Sequence, residues 1–213
     1  MQWLTPTRRA TTTEIIFFKD EKGAKRAFPT IYQPSEVSLS VVFPSYNEEK
    51  RLAQTLDLTV AALNAMSADR PKFTWEIVIV DDGSADQTSA VGQRYTASLG
   101  SDRVRVMTLA DNIGKGGAVN MGMLRSRGDH ILFADADGAT SASDIARLYD
   151  ALLKAERDDL GVAIGSRAHL VDTDVVIQVR RESGIAGMLM ADVDSESESD
   201  VDSDAASASV ALI

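Results

Sequence analysis

Asp135 and Asp137 stand two residues apart where the apolar run His130 to Ala134 gives way to Asp135-Ala136-Asp137-Gly138. In a strand such residues share a face, and at its fraying end the two carboxylates can converge on one cation. Hard oxygen donors with neither histidine nor cysteine beside them suit Mg²⁺ or Mn²⁺, completed by substrate phosphates and water. The competing reading is a pair of acids capping the next helix, and so short a motif does not decide alone. Asn112-Ile113-Gly114-Lys115-Gly116-Gly117 is a second candidate. Its glycines allow close backbone approach, and free N–H groups beside Lys115 suit a diphosphate. A dinucleotide fingerprint would need glycine at Val119, and a P-loop would need G-x-x-x-x-G-K-[ST]; neither is present. A glycine turn with a solvated lysine is the plainer alternative.

Three more clusters have the same character. In Asp81-Asp82-Gly83-Ser84, an acid can accept from the imide N–H of uracil or from a ribose hydroxyl, or it can cap the helix containing Thr88 and Val91. Pro44-Ser45-Tyr46-Asn47-Glu48-Glu49 offers an aromatic face in Tyr46 for a base and a hydrogen-bonding acid in Glu48. It reads equally as a turn whose acids favour the positive end of a helix. Arg167, in Gly165-Ser166-Arg167, suits a phosphate or an ion pair at a sheet edge.

Each cluster follows a short apolar run. These runs are Leu39 to Phe43, Trp75 to Val80, Val104 to Leu109, His130 to Ala134 and Gly161 to Gly165. Continuous apolarity is expected of parallel strands covered on both faces. Between them Leu52, Leu56, Val60 and Leu63 recur at helical spacing, as do Ile145, Leu148 and Leu152, with Ala142-Ser143-Asp144 as starting chemistry for the later helix. Repeated strand–helix alternation predicts an α/β layer fold with a mostly parallel sheet. Ligands of such sheets bind beyond the carboxyl ends of the strands, where all five polar clusters fall.

Composition narrows the function classes. The 213 residues suffice for one domain with tails, and 44% hydrophobic with 25% charged residues are globular values. With no cysteine and only His130 and His169, disulfides, thiolate metal sites and a cysteine nucleophile are excluded, and a multi-histidine centre nearly so. The formal charge of -10 argues against nucleic acid as a partner. That charge is uneven: Asp192 to Asp204 holds seven acids and no base, and without them 25 acids face 22 bases, a balance of -3. The run lacks the glycine turn and ligand spacing of an EF-hand, and its composition predicts a solvated tail with no strand or helix period. No run of 18 apolar residues is present and the first residues do not form a secretory signal, so the chain by itself reads as soluble and intracellular.

Taken in order, PSYNEE, VDDGSADQTS, NIGKGGAVNMG, ADADGAT and GSRAHL resemble the inverting family 2 glycosyltransferases of the GT-A fold, from about Phe17 to about Leu170. DADGAT and GSRAHL favour the branch that glucosylates dolichyl phosphate over its mannosyl-transferring relative. The resemblance implies a Rossmann-like αβα sandwich and transfer of glucose from UDP-glucose to dolichyl phosphate, with inversion at the anomeric carbon. It also implies a nucleotide-sugar site of Pro44, Tyr46, Glu48, Val80, Asp82, Lys115, Asp135, Ala136 and Arg167, and Mg²⁺ or Mn²⁺ on Asp135 and Asp137. By the same resemblance the enzyme would work in N-glycosylation at the cytosolic face of the endoplasmic reticulum membrane.

Two departures accompany the resemblance. The family's N-terminal membrane anchor has no counterpart in the polar stretch before Ile15, and from about residue 172 the chain no longer matches the family. The expected organisation is a disordered leader at residues 1–14, a nucleotide-sugar-binding domain at residues 15–171 that lacks its acceptor side, and a divergent, largely disordered acidic tail at residues 172–213. Alternatives are a donor-binding domain without transfer, and a dolichyl-phosphate mannosyltransferase-like enzyme. A sugar-nucleotide pyrophosphorylase is disfavoured, since PSYNEE is not its glycine- and arginine-containing loop.

Overall fold

A computed structural model describes residues 17–30, 32–136, 142–155, 161–165 and 210–212. The central sheet takes its strands from the apolar runs: β3 (Val37–Ser45), β4 (Trp75–Asp81), β5 (Val104–Thr108), β6 (Gly128–Phe133) and β7 (Ala163–Gly165). Helices α1 (Leu52–Asp69), α2 (Thr88–Leu99), α3 (Lys115–Met123) and α4 (Ala142–Ala155) alternate with them. The order across the sheet is β5-β4-β3-β6-β8-β7, where β8 is Val210–Leu212. β3 runs parallel to both β4 and β6, and β4 runs parallel to β5. The expected αβα sandwich with a mostly parallel sheet is therefore observed.

Alternation along the strands assigns the two faces. Leu39, Val41, Phe43, Ile77, Ile79, Val104, Val106 and Leu132 point to one side, where they bury Leu52, Leu56, Leu63 and Met66 of α1, Val91 of α2 and Ile145, Leu148 and Leu152 of α4. Val42, Val78, Val80 and Met107 point to the other, against Ala118 of α3 and Phe28. α3 lies close to the sheet because Gly122 carries no side chain: a Cβ there would stand 2.4 Å from Val42 Cγ1. β1 (Phe17–Lys19) and β2 (Lys25–Ala27) form an antiparallel hairpin over the same face, with Phe18 stacked on Phe28 at 5.0 Å.

Two elements differ from expectation. The hairpin pairs the half-buried Phe17 and Phe18 of β1 with an exposed, charged β2, so only one of its two strands carries apolar residues in sequence. Val210–Leu212, where the composition shows no strand period, forms β8 between β6 and β7, antiparallel to both. No helix among the described residues is long and apolar enough to cross a membrane.

The chain enters the sheet at its centre, builds outward through β4 and β5, then returns to add β6 on the opposite side of β3. That reversal opens a crevice above the carboxyl ends of β3 and β6. Thr55 of α1 donates to the Ala136 carbonyl at 2.9 Å, which ties α1 to the residues that follow β6.

Candidate functional site

The strand ends are joined to one another before any ligand is considered. Asp82 N donates to the Ser45 carbonyl at 2.9 Å, fixing the end of β4 to that of β3. The Asp82 carboxylate, 3% exposed, accepts from Ile113 N at 2.8 Å and Gly114 N at 2.9 Å, which holds the loop leading into α3. Asn112 Oδ1 accepts from the same Gly114 N at 3.0 Å, and Gly114 itself adopts φ +84°, a region that favours glycine. The next residue, Lys115, reaches across to β6, where its Nζ lies 2.6 Å from Asp135 Oδ1. Asp82, Lys115 and Asp135 thus form one connected edge spanning β4, α3 and β6.

Tyr46 stands half-exposed at the end of β3, open to a planar ligand. Glu48 is held by Arg51 through two contacts, Nε to Oε2 at 2.8 Å and Nη2 to Oε1 at 2.7 Å, so any ligand hydroxyl or imide must share that carboxylate with a guanidinium. The side chains of Val80 and Ala136 lie in the core, 0% and 3% exposed, and present only main chain to the edge. Pro44 pairs with Val80 inside the sheet. Asp137 and Arg167 fall outside the described residues.

The alternative readings are also partly realised. Asp81, not Asp82, supports the start of α2: it accepts from Ser84 N at 3.0 Å and from the Ser89 hydroxyl. Asp86, which its residue type does not single out, accepts from Thr88 N at 2.9 Å and from Glu49 N at 3.1 Å. Burial pushes the Asp86 carboxyl up, but the Thr88 hydroxyl and the N–H donors outweigh this and hold it below the usual carboxylate range. Asn47, within the Pro44 to Glu49 cluster, has φ 56° and accepts from Ala85 N at 3.0 Å while its own N donates to Ser84 Oγ at 2.9 Å. The signal for both was present: Asp and Asn next to Ser or Thr in a loop favour local turns of this kind. A depression of about 400 Å³ between these loops is lined by Asn47, Glu48, Glu49, Lys50, Arg51 and Asp86. It lies on the rim and includes none of Asp82, Lys115 and Asp135.

Asp135 is a hard oxygen donor that already holds a cation, the Lys115 ammonium, so its chemistry fits a divalent ion. Among the described residues no three His, Asp or Glu side chains gather into a metal cage.

A polar edge at the switch point of a parallel sheet covered on both faces is where nucleotide-handling α/β domains hold their ligands. The chain belongs to glycosyl transferase family 2, whose sequence model matches residues 40–204 and so continues past residue 171, where the motif resemblance stops. It is 49% identical over 156 residues to the human dolichyl-phosphate beta-glucosyltransferase, covering 72% of this chain and 48% of that protein. It is 43% identical over 174 residues to the Saccharomyces cerevisiae protein of the same name, covering 75% of this chain and 51% of that one. The chain spans about half the length of these curated relatives. Among solved structures, a Pyrobaculum calidifontis mannosyltransferase in complex with GDP-Man and Mn²⁺ is 22% identical, with a TM-score of 0.46 over 63% of this chain and 37% of that one.

Proposed function

We propose that this chain binds UDP-glucose across the β3–β6 crevice and forms the donor side of an enzyme that transfers glucose to dolichyl phosphate. The observation that carries the reading is the connected edge Asp82–Gly114–Lys115–Asp135 in a family 2 chain about half identical to dolichyl-phosphate glucosyltransferases. Tyr46 would pack against uracil and Glu48 would bond to the base or the ribose. Asp82 fixes the α3 loop so that Lys115 faces the diphosphate, with Arg167 as a second phosphate ligand. Asp135 and Asp137 would hold Mg²⁺ or Mn²⁺, which supplies neutralisation of the charge that builds on the leaving diphosphate. An oxygen of the lipid phosphate forms a bond to the anomeric carbon from the opposite face as the bond to UDP breaks. A phosphate monoester, with a second pKa of about 6, is already an anion at neutral pH and makes little demand on a general base. Such a reaction would belong to N-glycosylation, at the cytosolic face of the endoplasmic reticulum membrane.

A second reading is donor binding without transfer, since the connected edge Asp82–Gly114–Lys115–Asp135 accounts for donor and metal but assigns no group to the acceptor. Positioning of the acceptor supplies much of catalysis. Incubation with labelled UDP-glucose, dolichyl phosphate and Mg²⁺ or Mn²⁺ decides between the two. Product identifies the transferase. Metal-dependent UDP binding that is lost in Asp135→Ala plus Asp137→Ala, with no product at high protein concentration, identifies the donor-binding domain. No UDP binding at all removes both.

A further inference from the structure

Lys115 is the first residue of α3, so its ammonium extends from the helix end where unpaired N–H groups already concentrate positive charge. A cation is disfavoured there unless an anion compensates it. Asp135 does so: the contact is 2.6 Å, with the carboxylate 13% exposed and the lysine side chain 49% exposed. The carboxylate is therefore the buried partner and the lysine the one free to move, on a four-carbon stem whose head prefers water or phosphate. An oxygen in direct contact with an ammonium cannot turn the same lone pair to a divalent ion, and two cations so close repel.

We propose that Lys115 is the resident counter-ion of Asp135, and that the donor diphosphate releases Asp135 for a divalent cation by drawing Lys115 to itself. This rests on the reading of the crevice as a sugar-nucleotide site. The exchange conserves charge compensation: the ammonium leaves one anion for another, and the metal takes the place vacated on Asp135. The metal alone must displace the lysine and binds weakly. Metal and diphosphate together bind with a positive coupling, and each strengthens the other by the same factor. Lys115 is thus a positioning residue that keeps the carboxylate from taking up a cation until the donor arrives.

Mn²⁺ binding to the full chain, followed by electron paramagnetic resonance or calorimetry with and without UDP, tests the exchange in the wild type, Lys115→Met and Lys115→Arg. In the absence of UDP, Lys115→Met is expected to bind Mn²⁺ about five- to tenfold more tightly than the wild type, within the usual range of coupling between sites. UDP should tighten Mn²⁺ binding by a clearly smaller factor in Lys115→Met than in the wild type. Lys115→Arg keeps an ion pair and should restore the weak metal-only binding. Unchanged or weaker Mn²⁺ affinity in Lys115→Met without UDP overturns the proposal, as does an equal UDP effect in both proteins. A wild type that fails to bind UDP with or without metal removes the sugar-nucleotide reading instead, and the metal-only comparison still tests the counter-ion role.

Discussion

Both carboxylate oxygens of Asp82 are taken by main-chain donors of one loop, Oδ1 by Ile113 N at 2.8 Å and Oδ2 by Gly114 N at 2.9 Å. Through this pair the end of β4 dictates where α3 begins, and hence where Lys115 meets Asp135. Asp82→Asn keeps the shape but turns an NH₂ group toward one of the two N–H donors, so one hydrogen bond becomes a donor–donor contact. Hydrogen bonds to a charged group contribute about 1.5–3 kcal/mol each. The variant should lose about that much in urea denaturation, and its UDP affinity should fall as the loop loosens. Full UDP affinity with an unaltered denaturation midpoint contradicts this role.

Gly122 fixes the depth of α3. A Cβ there meets Val42 Cγ1 at 2.4 Å and Val80 Cγ2 at 3.0 Å, both on fully buried side chains in the sheet. Gly122→Ala should destabilise the protein by about 1–3 kcal/mol, the usual penalty of overpacking, despite the better helix propensity of alanine. Because relief requires α3 to lift from the sheet, UDP binding should weaken as well. Thermal unfolding and UDP titration of the variant measure the two effects separately.

At the opposite end of the strands, Glu76 accepts from Ser40 Oγ at 2.7 Å, from Arg127 N at 2.7 Å, from Arg127 Nε at 2.8 Å and from Arg105. Burial pushes its carboxyl up, but Arg105 and Arg127 outweigh this and hold it below the usual range. A depressed folded-state value means the stabilisation is complete above the unfolded value of about 4.3 and is lost as pH falls through the lower folded value. Glu76→Gln leaves the buried Arg105 guanidinium without its anion, while Arg127 keeps Glu36 at 3.0 Å, and should cost about 3–5 kcal/mol at pH 7. The gap between wild type and variant should narrow only below pH of about 4.3. Urea midpoints from pH 7 down to pH 3 would show it, and a gap that stays constant across that range contradicts the assignment.

The parts of this molecule legible in its sequence are those written as apolar runs. Trp75 to Val80 reads as a strand covered on both faces because each of its side chains is buried, and the polar residues that follow each run lie at the strand ends. Glu76 and Arg105 sit inside such runs and do not stand out there, since sequence spacing does not reveal that the two share a face across a parallel pair in which Val78 lies beside Arg105. The β1–β2 hairpin was illegible for the opposite reason: Lys25 and Arg26 are exposed, and its burial comes from Phe18 and Phe28, over which Arg105 is stacked at 5.7 and 5.4 Å. Residue types single out Asp82, Lys115 and Asp135 as candidates, and the structure joins the three along one edge, but types do not show that Asp82 faces the backbone or that Lys115 and Asp135 touch. Those contacts depend on loop conformation, set by single residues such as Gly114 and Asn47.

Asn47 lends itself to a test that separates backbone conformation from hydrogen bonding. Its φ of 56° is unfavourable for a residue with a Cβ unless a side chain compensates, and here Oδ1 accepts from Ala85 N at 3.0 Å. Asn47→Gly removes the hydrogen bond but accepts the conformation, so it should lose about 0.5–1.5 kcal/mol, somewhat more where Ala85 N is left without a partner. Asn47→Ala removes the same bond and adds the left-handed penalty of about 1–2 kcal/mol. Stability should therefore rank wild type, then glycine, then alanine, even though alanine resists unfolded-state freedom better than glycine does. Asn47 also fixes the residue beside it, Tyr46, so both variants should bind UDP more weakly than the wild type, alanine the more so. An alanine variant at least as stable as the glycine variant would show that the loop has shifted to an ordinary conformation. Restored stability without restored UDP affinity would then locate the function of Asn47 in aiming Tyr46.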